Sequence, residues 1–261
     1  IRRETLAKLQ DKIIEKHEKH LKITENAQNL EILCGTMQCT MQSLNGDIND
    51  IYLINEDTDL EKIAPKTNDI LALSPIVYTV QNVQNQFEKL SKFNCKLALN
   101  LPVIANEKDM QILTQIVKIL PTEIYLIVNN ISGLIFANKV HKIVAGLGLN
   151  IYNDLTVNEL KNLGADYFIF SKEFMPKNDD FITYSFGHQE LMYFAHCPYK
   201  TLFQNDCKNC KFCKDLVLRG DDNKTYKIER TTISQCYFAL LSNRLTNKIK
   251  SSKNLIDLRF E

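Results

Sequence analysis

Between residues 25 and 196 short apolar runs alternate with amphipathic stretches, and this rhythm restricts the fold more than any other feature of the chain. The runs include "LEILCGT", "DIYLIN", "ILALSPIV", "CKLALNLPVI", "EIYLIVNN", "KIVAGLGLNIYN", "ADYFIFSKEF" and "LMYFAHC". They place strand candidates at 31–34, 50–54, 70–77, 95–104, 123–129, 143–152, 166–171 and 190–195. Between them, "QNQFEKLSKF", "EKDMQILTQIVKIL" and "TVNELKNLG" carry apolar residues at helical spacing, the last ending on Gly164. Near-continuous apolar strands separated by helices read as a parallel sheet covered on its outer face. Eight such units predict an α/β fold of the (β/α)8 TIM-barrel type over 25–196, with an open doubly wound sheet as the alternative. No glycine-rich dinucleotide fingerprint follows the first run, and "GLGLN" at Gly146 and Gly148 lies within a strand run.

Residues 1–24 read as an amphipathic N-terminal helix, with Leu6, Leu9, Ile13, Ile14 and Leu21 on one stripe. A content of 44% hydrophobic and 24% charged residues is that of a globular chain and excludes a disordered one. With no eighteen-residue apolar run and no signal-peptide core, the chain predicts neither a membrane span nor secretion, and a cytoplasmic setting is expected. The chain does not begin with Met, which reads as a fragment or processed piece.

In a barrel the residues after each strand share one mouth. Here they are Cys34 and Thr36, Asn55 and Glu56, Pro75, Asn100, Asn129 and Asn130, Asn150 and Asn153, Ser171 and Glu173, then His196 and Cys197. Asparagine supplies one donor group and one acceptor, which suits a base, sugar or amide better than proton transfer. Asn150, Asn153, Ser171 and His188 are therefore the candidate substrate contacts, and Glu173 the candidate general base. The bland alternative makes these residues helix caps and turns, with Asp154 or Thr156 opening a helix and Ser171 and Glu173 capping the next.

Four of the eight cysteines fall within residues 197–213, "CPYKTLFQNDCKNCKFC". Cys207, Cys210 and Cys213 follow Cys197 at C-x2-C-x2-C spacing, and Cys236 comes later. In a reducing compartment such clustering points to metal, because thiolates two residues apart can turn toward one centre. Zinc takes four in a tetrahedron, and an iron–sulfur cluster takes four around a larger cube. Cys34, Cys39 and Cys95 read as ordinary buried thiols. After the cluster, "LVLRGDDNKTYKIER" is a β-hairpin around a "GDDN" turn that would carry Cys236 back toward the cluster. Residues 197–243 thus predict a small metal-stapled lobe, with metal supplying part of its folding free energy. Residues 244–261 read as a basic tail. From Pro198 onward there are 13 Lys/Arg against 7 Asp/Glu, whereas the preceding part carries 19 against 24. Such an asymmetry suits a polyanionic partner.

Taken together, "GHQELMYFAHCP", the cysteine run, "LVLRGDDNKTYKI" and "CYFALLSN" resemble the signature of the collagenase-like peptidase family (family U-32). "LGLNIYNDLTVNELKNLGADYFIFSKEF" is similar to that family's barrel stretch. The match covers about residues 125–243. Residues 1–120 share only the rhythm, and "IRRETLAKLQ" resembles the lead-in to the second barrel of long members. The resemblance implies RNA hydroxylation, on transfer or ribosomal RNA, despite the peptidase name. It also implies a four-iron cluster held by Cys197, Cys236 and two of Cys207, Cys210 and Cys213, although this cysteine run is tighter than the family pattern. The family's Glu-x-Phe landmark before a glycine- and cysteine-rich stretch is not found, which implies the second barrel of a longer protein, partnered by an upstream barrel. Two alternatives stand beside this reading. A peptidase would need a His base for a Cys nucleophile, or a His-Glu-x-x-His helix, which is absent. A zinc-stapled module would only dock a partner.

Overall fold

The computed structural model describes residues 47–137, 140–173, 181–203, 210, 216–221, 223–248 and 253–260. The expected helix in 1–24, the strand at 31–34 and residues Cys34, Thr36, Cys39, Cys207 and Cys213 lie outside them. The fold is mixed α/β, built on one curled eleven-stranded sheet. Strands β1 (Ile51–Ile54), β2 (Ile70–Leu73), β3 (Lys96–Asn100), β4 (Tyr125–Val128), β5 (Ile143–Ala145) and β6 (Tyr167–Phe168) pair in chain order, each parallel to the next. Helices α1 (Val80–Leu90), α2 (Glu107–Ile119), α3 (Ile131–Phe136) and α4 (Asp154–Asn162) fill the crossovers after β2, β3, β4 and β5. Between β1 and β2 there is only a 3-10 turn, Leu60–Lys62.

The strands are buried along their whole length at β2, β4 and β5 because one face meets the core and the other the helices. Helix starts follow the side chains available. Thr79 accepts from the Asn82 amide at α1, Asn106 and Asp109 form a reciprocal capping box at α2, and Asn153 accepts from the Thr156 amide at α4.

On the other side of β1 lies β11 (Asn254–Asp257), again parallel, and β11 pairs in parallel with the start of β7 (Thr183–Phe194). Beyond β6 a single parallel bridge joins Ile169 to Ile182, with the Phe170 amide donating to the Ile182 carbonyl at 2.9 Å. One buried cluster collects side chains from every one of these parallel segments: Ile51 and Leu53, Ile70 and Ala72, Ala98, Tyr125 and Ile127, Val144, Tyr167 and Ile169, Ile182 and Tyr184, and Leu255. Past Gly187, β7 leaves β11 and continues against β10 (Cys236–Asn247), which pairs in turn with β9 (Thr225–Thr232), and β9 with β8 (Val217–Arg219), all antiparallel.

Four expectations are modified. The run at 190–195 belongs to a longer strand whose core-facing part is 183–186. The run at 143–152 ends as a strand at Ala145, because Gly146 and Gly148 bring the backbone onto Asn129, where an added Cβ would lie 2.2 and 2.3 Å from its Oδ1 and carbonyl oxygen. The segment 244–261, read as a basic tail, supplies the end of β10 and all of β11, whose four residues are buried. Its Leu255–Ile256 pair outweighs the surrounding charge. The hairpin expected at 216–230 is found as β8 and β9, but these strands extend the main sheet through β10 rather than standing apart.

Gly187 has a positive φ of 124°, and a Cβ there would lie 2.6 Å from the Asp257 Cβ and 2.8 Å from its carbonyl oxygen. It is the point at which β7 exchanges one partner for another. Gly187→Ala is expected to lower unfolding free energy by about 3 kcal/mol through strain and backbone clash. Gly164→Ala, at φ 103° with open space around it, should cost only about 1 kcal/mol. Denaturant unfolding of the two variants checks the difference.

Candidate functional site

At the C-terminal ends of the parallel strands lies a cavity of about 280 Å³. Its floor is a wired row of strand-end polar groups. Asn129 on β4's end donates to the Asn100 Oδ1 at 2.9 Å and to the Leu101 carbonyl, and Asn100 donates to the Ser74 hydroxyl at 3.1 Å. The Tyr78 hydroxyl donates to the Asn100 carbonyl at 2.5 Å. β9 and β10 pass over these ends, adding Glu229, Thr231, Tyr237 and Phe238 to the lining. They are pinned there by Asp109 at the α2 cap, which accepts from the Ser234 amide and hydroxyl and from the Tyr237 hydroxyl. Burial works to raise the Asp109 carboxyl, but the donors from Ser234, Tyr237 and Asn106 outweigh it and hold it below the ordinary range.

One wall of the cavity is a nearly buried cluster of charge. Arg259 grips Asp257 through Nε at 2.8 Å and Nη2 at 2.6 Å, and the same Nη2 donates to Glu190 at 2.8 Å. Lys172 donates to the other Glu190 oxygen at 2.6 Å, with its ammonium 4.7 Å from the Tyr184 ring centroid. Glu229 lies 3.6 Å from Arg259 Nη1. Three carboxyls thus face two cations. Burial acts to raise Glu190, yet Arg259 and Lys172 outweigh it and hold the group well below the usual carboxylate range. Glu229 has the longest contact and takes the opposite course. Burial raises it first, Arg259 pulls it down, and Asp257, Glu190 and Glu56 raise it again, leaving it at about 7. Burial, with Glu190 adding to it, pushes the Tyr193 phenol up, so that it stays neutral. The wall therefore holds one carboxyl raised to about 7 beside a guanidinium, a value in the range that suits general acid–base chemistry.

Of the residues singled out from the sequence, Asn150, Ser171 and Glu173 line this cavity. Asn150 takes the left-handed conformation after the 3-10 turn Leu147–Leu149, and Ser171 Oγ accepts from the Glu173 amide at 3.3 Å. Asn153 is absorbed in capping α4 and does not line the cavity, and His188 sits on β7 against the Ser242 carbonyl at 2.7 Å, also outside the lining. The sequence reading passed over Lys172, Glu190, Glu229 and Arg259. Glu190 is an acid inside a strand, and Asp257 and Arg259 alternate with Ile256, Leu258 and Phe260. Ionisable residues in apolar runs are the signal that was available.

Of the candidate ligand thiols, Cys197, Cys210 and Cys236 are described, and all three are free. Phe194 pairs with Phe238 across β7 and β10, their rings stacked 5.5 Å apart. Cys197 lies three residues beyond Phe194 and Cys236 two before Phe238, so both sit at the same end of this ladder. Cys197 Sγ accepts from the Lys200 amide at 3.4 Å at the start of α5 (Pro198–Phe203), and Cys236 Sγ contacts the Thr232 hydroxyl at 3.6 Å. Among the described residues no three His, Cys, Asp or Glu side chains converge on a metal position. Free thiols at one ladder end fit the donor chemistry of a thiolate-ligated centre, with Cys207 and Cys213 outside the described residues. His196 Nε2 shares a hydrogen bond with the Thr201 hydroxyl at 2.5 Å rather than with Cys197.

No protein-family model, curated protein or solved structure matches the chain. No helix among the described residues is long and apolar enough to cross a membrane.

Because Glu229 is held above its ordinary value of 4.5, the fold keeps a proton that the unfolded chain releases. Its contribution to stability is complete below about pH 4.5 and lost as pH rises through about 7. Only 13% of the side chain is exposed, so water screens little of this effect. Glu229→Gln keeps the neutral form, and relative to wild type it should gain about 3 kcal/mol of stability between pH 4 and 8. Urea unfolding at both pH values reads this difference directly.

Proposed function

We propose that β1–β7 and β11 form a (β/α)8-type barrel, closed through the Ile169–Ile182 bridge, and that its mouth binds a base of RNA for modification. The single observation that carries the reading is the cavity at the strand ends. There, hydrogen-bonding side chains at Asn150 and Ser171 share one lining with Glu229, a carboxyl raised to about 7 beside Arg259. The donor–acceptor edge of a flipped or single-stranded base suits the first group, and a proton shift on a ring nitrogen or oxygen suits the second. The resemblance to the collagenase-like peptidase family supplies the reaction class, hydroxylation of transfer or ribosomal RNA, in a cytoplasmic protein with an upstream barrel as partner. It is the resemblance, too, that supports a four-iron cluster on Cys197, Cys236 and two of Cys207, Cys210 and Cys213. When bound, such a cluster supplies one-electron chemistry and staples the end of β7 to that of β10. Zinc on the same thiols would supply the staple alone.

In this reading the chain's own residues have separate tasks. Asn150 and Ser171 orient the base, and Glu229 moves the proton. Asp257 and Glu190 hold Arg259, with Lys172 on the other Glu190 oxygen, and so fix the field around Glu229, while Glu173 at the rim meets the substrate. A peptidase is less suited to this geometry, since neither Cys nor His is found among the described residues lining the cavity and His196 is engaged by Thr201.

The test combines binding, yield and colour. Wild-type protein should bind structured RNA with affinity that falls steeply as salt rises. In the full-length protein Glu229→Gln should leave binding unchanged while lowering hydroxylation yield, read by mass spectrometry, by about 100-fold. Anaerobically purified protein should be brown, and Cys197→Ser and Cys236→Ser should each remove the colour. RNA binding that is absent or insensitive to salt sinks the RNA reading, and colourless protein carrying zinc sinks the cluster.

A further inference from the structure

A second cavity, of about 250 Å³, lies against the first, and the two share Glu229 and Arg259 as their common wall. It opens at the same strand ends, since Asn55 follows β1, Ile76 follows β2 and Phe260 follows β11. Its inner surface is apolar, formed by Ile76, Val217, Ile228 and Leu241, with the Phe260 ring on one side. Lys227 and Arg230 bring positive charge to it. Lys227 Nζ spends one donor on the Phe260 carbonyl at 3.3 Å, and an ammonium has three. The Arg259 guanidinium stacks on the Phe260 ring at 4.9 Å and holds it in place.

We infer that this second cavity is the subsite for the nucleotide flanking the modified one, with its base against Phe260 and its phosphate on Lys227. The inference rests on the RNA reading above and names a further contact for it. An aromatic ring with adjacent cations is the arrangement by which proteins hold single-stranded nucleotides. A shared wall sets two neighbouring nucleotides on either side of Arg259, so the splayed chain enters the site with one base in each cavity. Asn55 takes no part in recognition, because its amide donates to the Arg259 carbonyl at 2.9 Å and its oxygen accepts from Asp57 and Thr58.

Calorimetric titration of the full chain with uridine monophosphate, uridine and inorganic phosphate tests the subsite. The monophosphate should bind at least about tenfold more tightly than either of its halves. Phe260→Ala and Lys227→Ala should each weaken it by about tenfold. Lys227 is exposed, so its replacement leaves the fold intact, and thermal unfolding of both variants controls for stability. Monophosphate binding no tighter than that of phosphate, or unaffected by either substitution, overturns the subsite. The two readings fail separately. Monophosphate binding as expected, with no salt-sensitive binding of structured RNA, keeps the subsite and removes the RNA function. RNA that binds and is modified equally in wild type, Phe260→Ala and Lys227→Ala keeps the function and removes the subsite.

Discussion

Arg259 is the ion on which the sheet and the cavity both depend. Its side chain is 8% exposed and is held by Asp257 at the end of β11, Glu190 on β7 and, at longer range, Glu229 on β9. Taking a guanidinium and carboxylates out of water is costly, and only several short, well-directed contacts offset that cost. The geometry supplies them, with two donors to Asp257 and one to Glu190. The consequence is structural specificity: β11, β7 and β9 must meet at one point for the charge to be satisfied. Three carboxyls around Arg259 and Lys172 leave one proton to be shared, and it falls to Glu229 because that group has the longest contact. The excess of acid that burdens the fold thus leaves one carboxyl raised toward neutrality in the cavity wall.

The polar floor works on a different principle. Asn129, Asn100 and Ser74 satisfy one another, and Asn129 also accepts from the Gly148 amide at 3.3 Å. Buried polar groups joined in this way hold a rigid surface, because each loses its partner if any one moves. The cavity therefore combines a fixed hydrogen-bonding floor with one titrating wall. Asp109 completes the arrangement from outside, clamping the turn between β9 and β10 to the start of α2 so that the roof stays over the floor.

The sequence made the repeating part of this structure legible and the non-repeating part obscure. β1–β5 are legible because their apolar runs alternate with amphipathic stretches such as "EKDMQILTQIVKIL" and "TVNELKNLG". The hairpin was found from its turn residues. β11 was hidden because a four-residue strand has no periodicity of its own, and lysines and serines precede it. Its pairing with β1 rests on contacts such as the Asn254 amide to Asp50 Oδ1, across a separation of 204 residues, which no local pattern encodes. Strand ends predicted the mouth, and hence Asn150, Ser171 and Glu173. They did not predict Glu190 and Glu229, since a side chain entering the mouth from a crossing strand obeys the pairing of β7, β9 and β10 and not the alternation of the parallel strands.

The position of β11 also has a bearing on how the chain is made. Its neighbours in the sheet, β1 and β7, are synthesised well before it, and β8, β9 and β10 emerge in between. While the ribosome is still translating residues 190–250, β1 and β7 each carry an open edge with unpaired amides and carbonyls. Such edges invite pairing with other chains. The nascent protein therefore passes through a long interval in which its central gap is unfilled, and only arrival of the Leu255–Ile256 pair and Arg259 seals it. A transient open edge during synthesis is the cost that follows from placing a central strand after the strands that flank it.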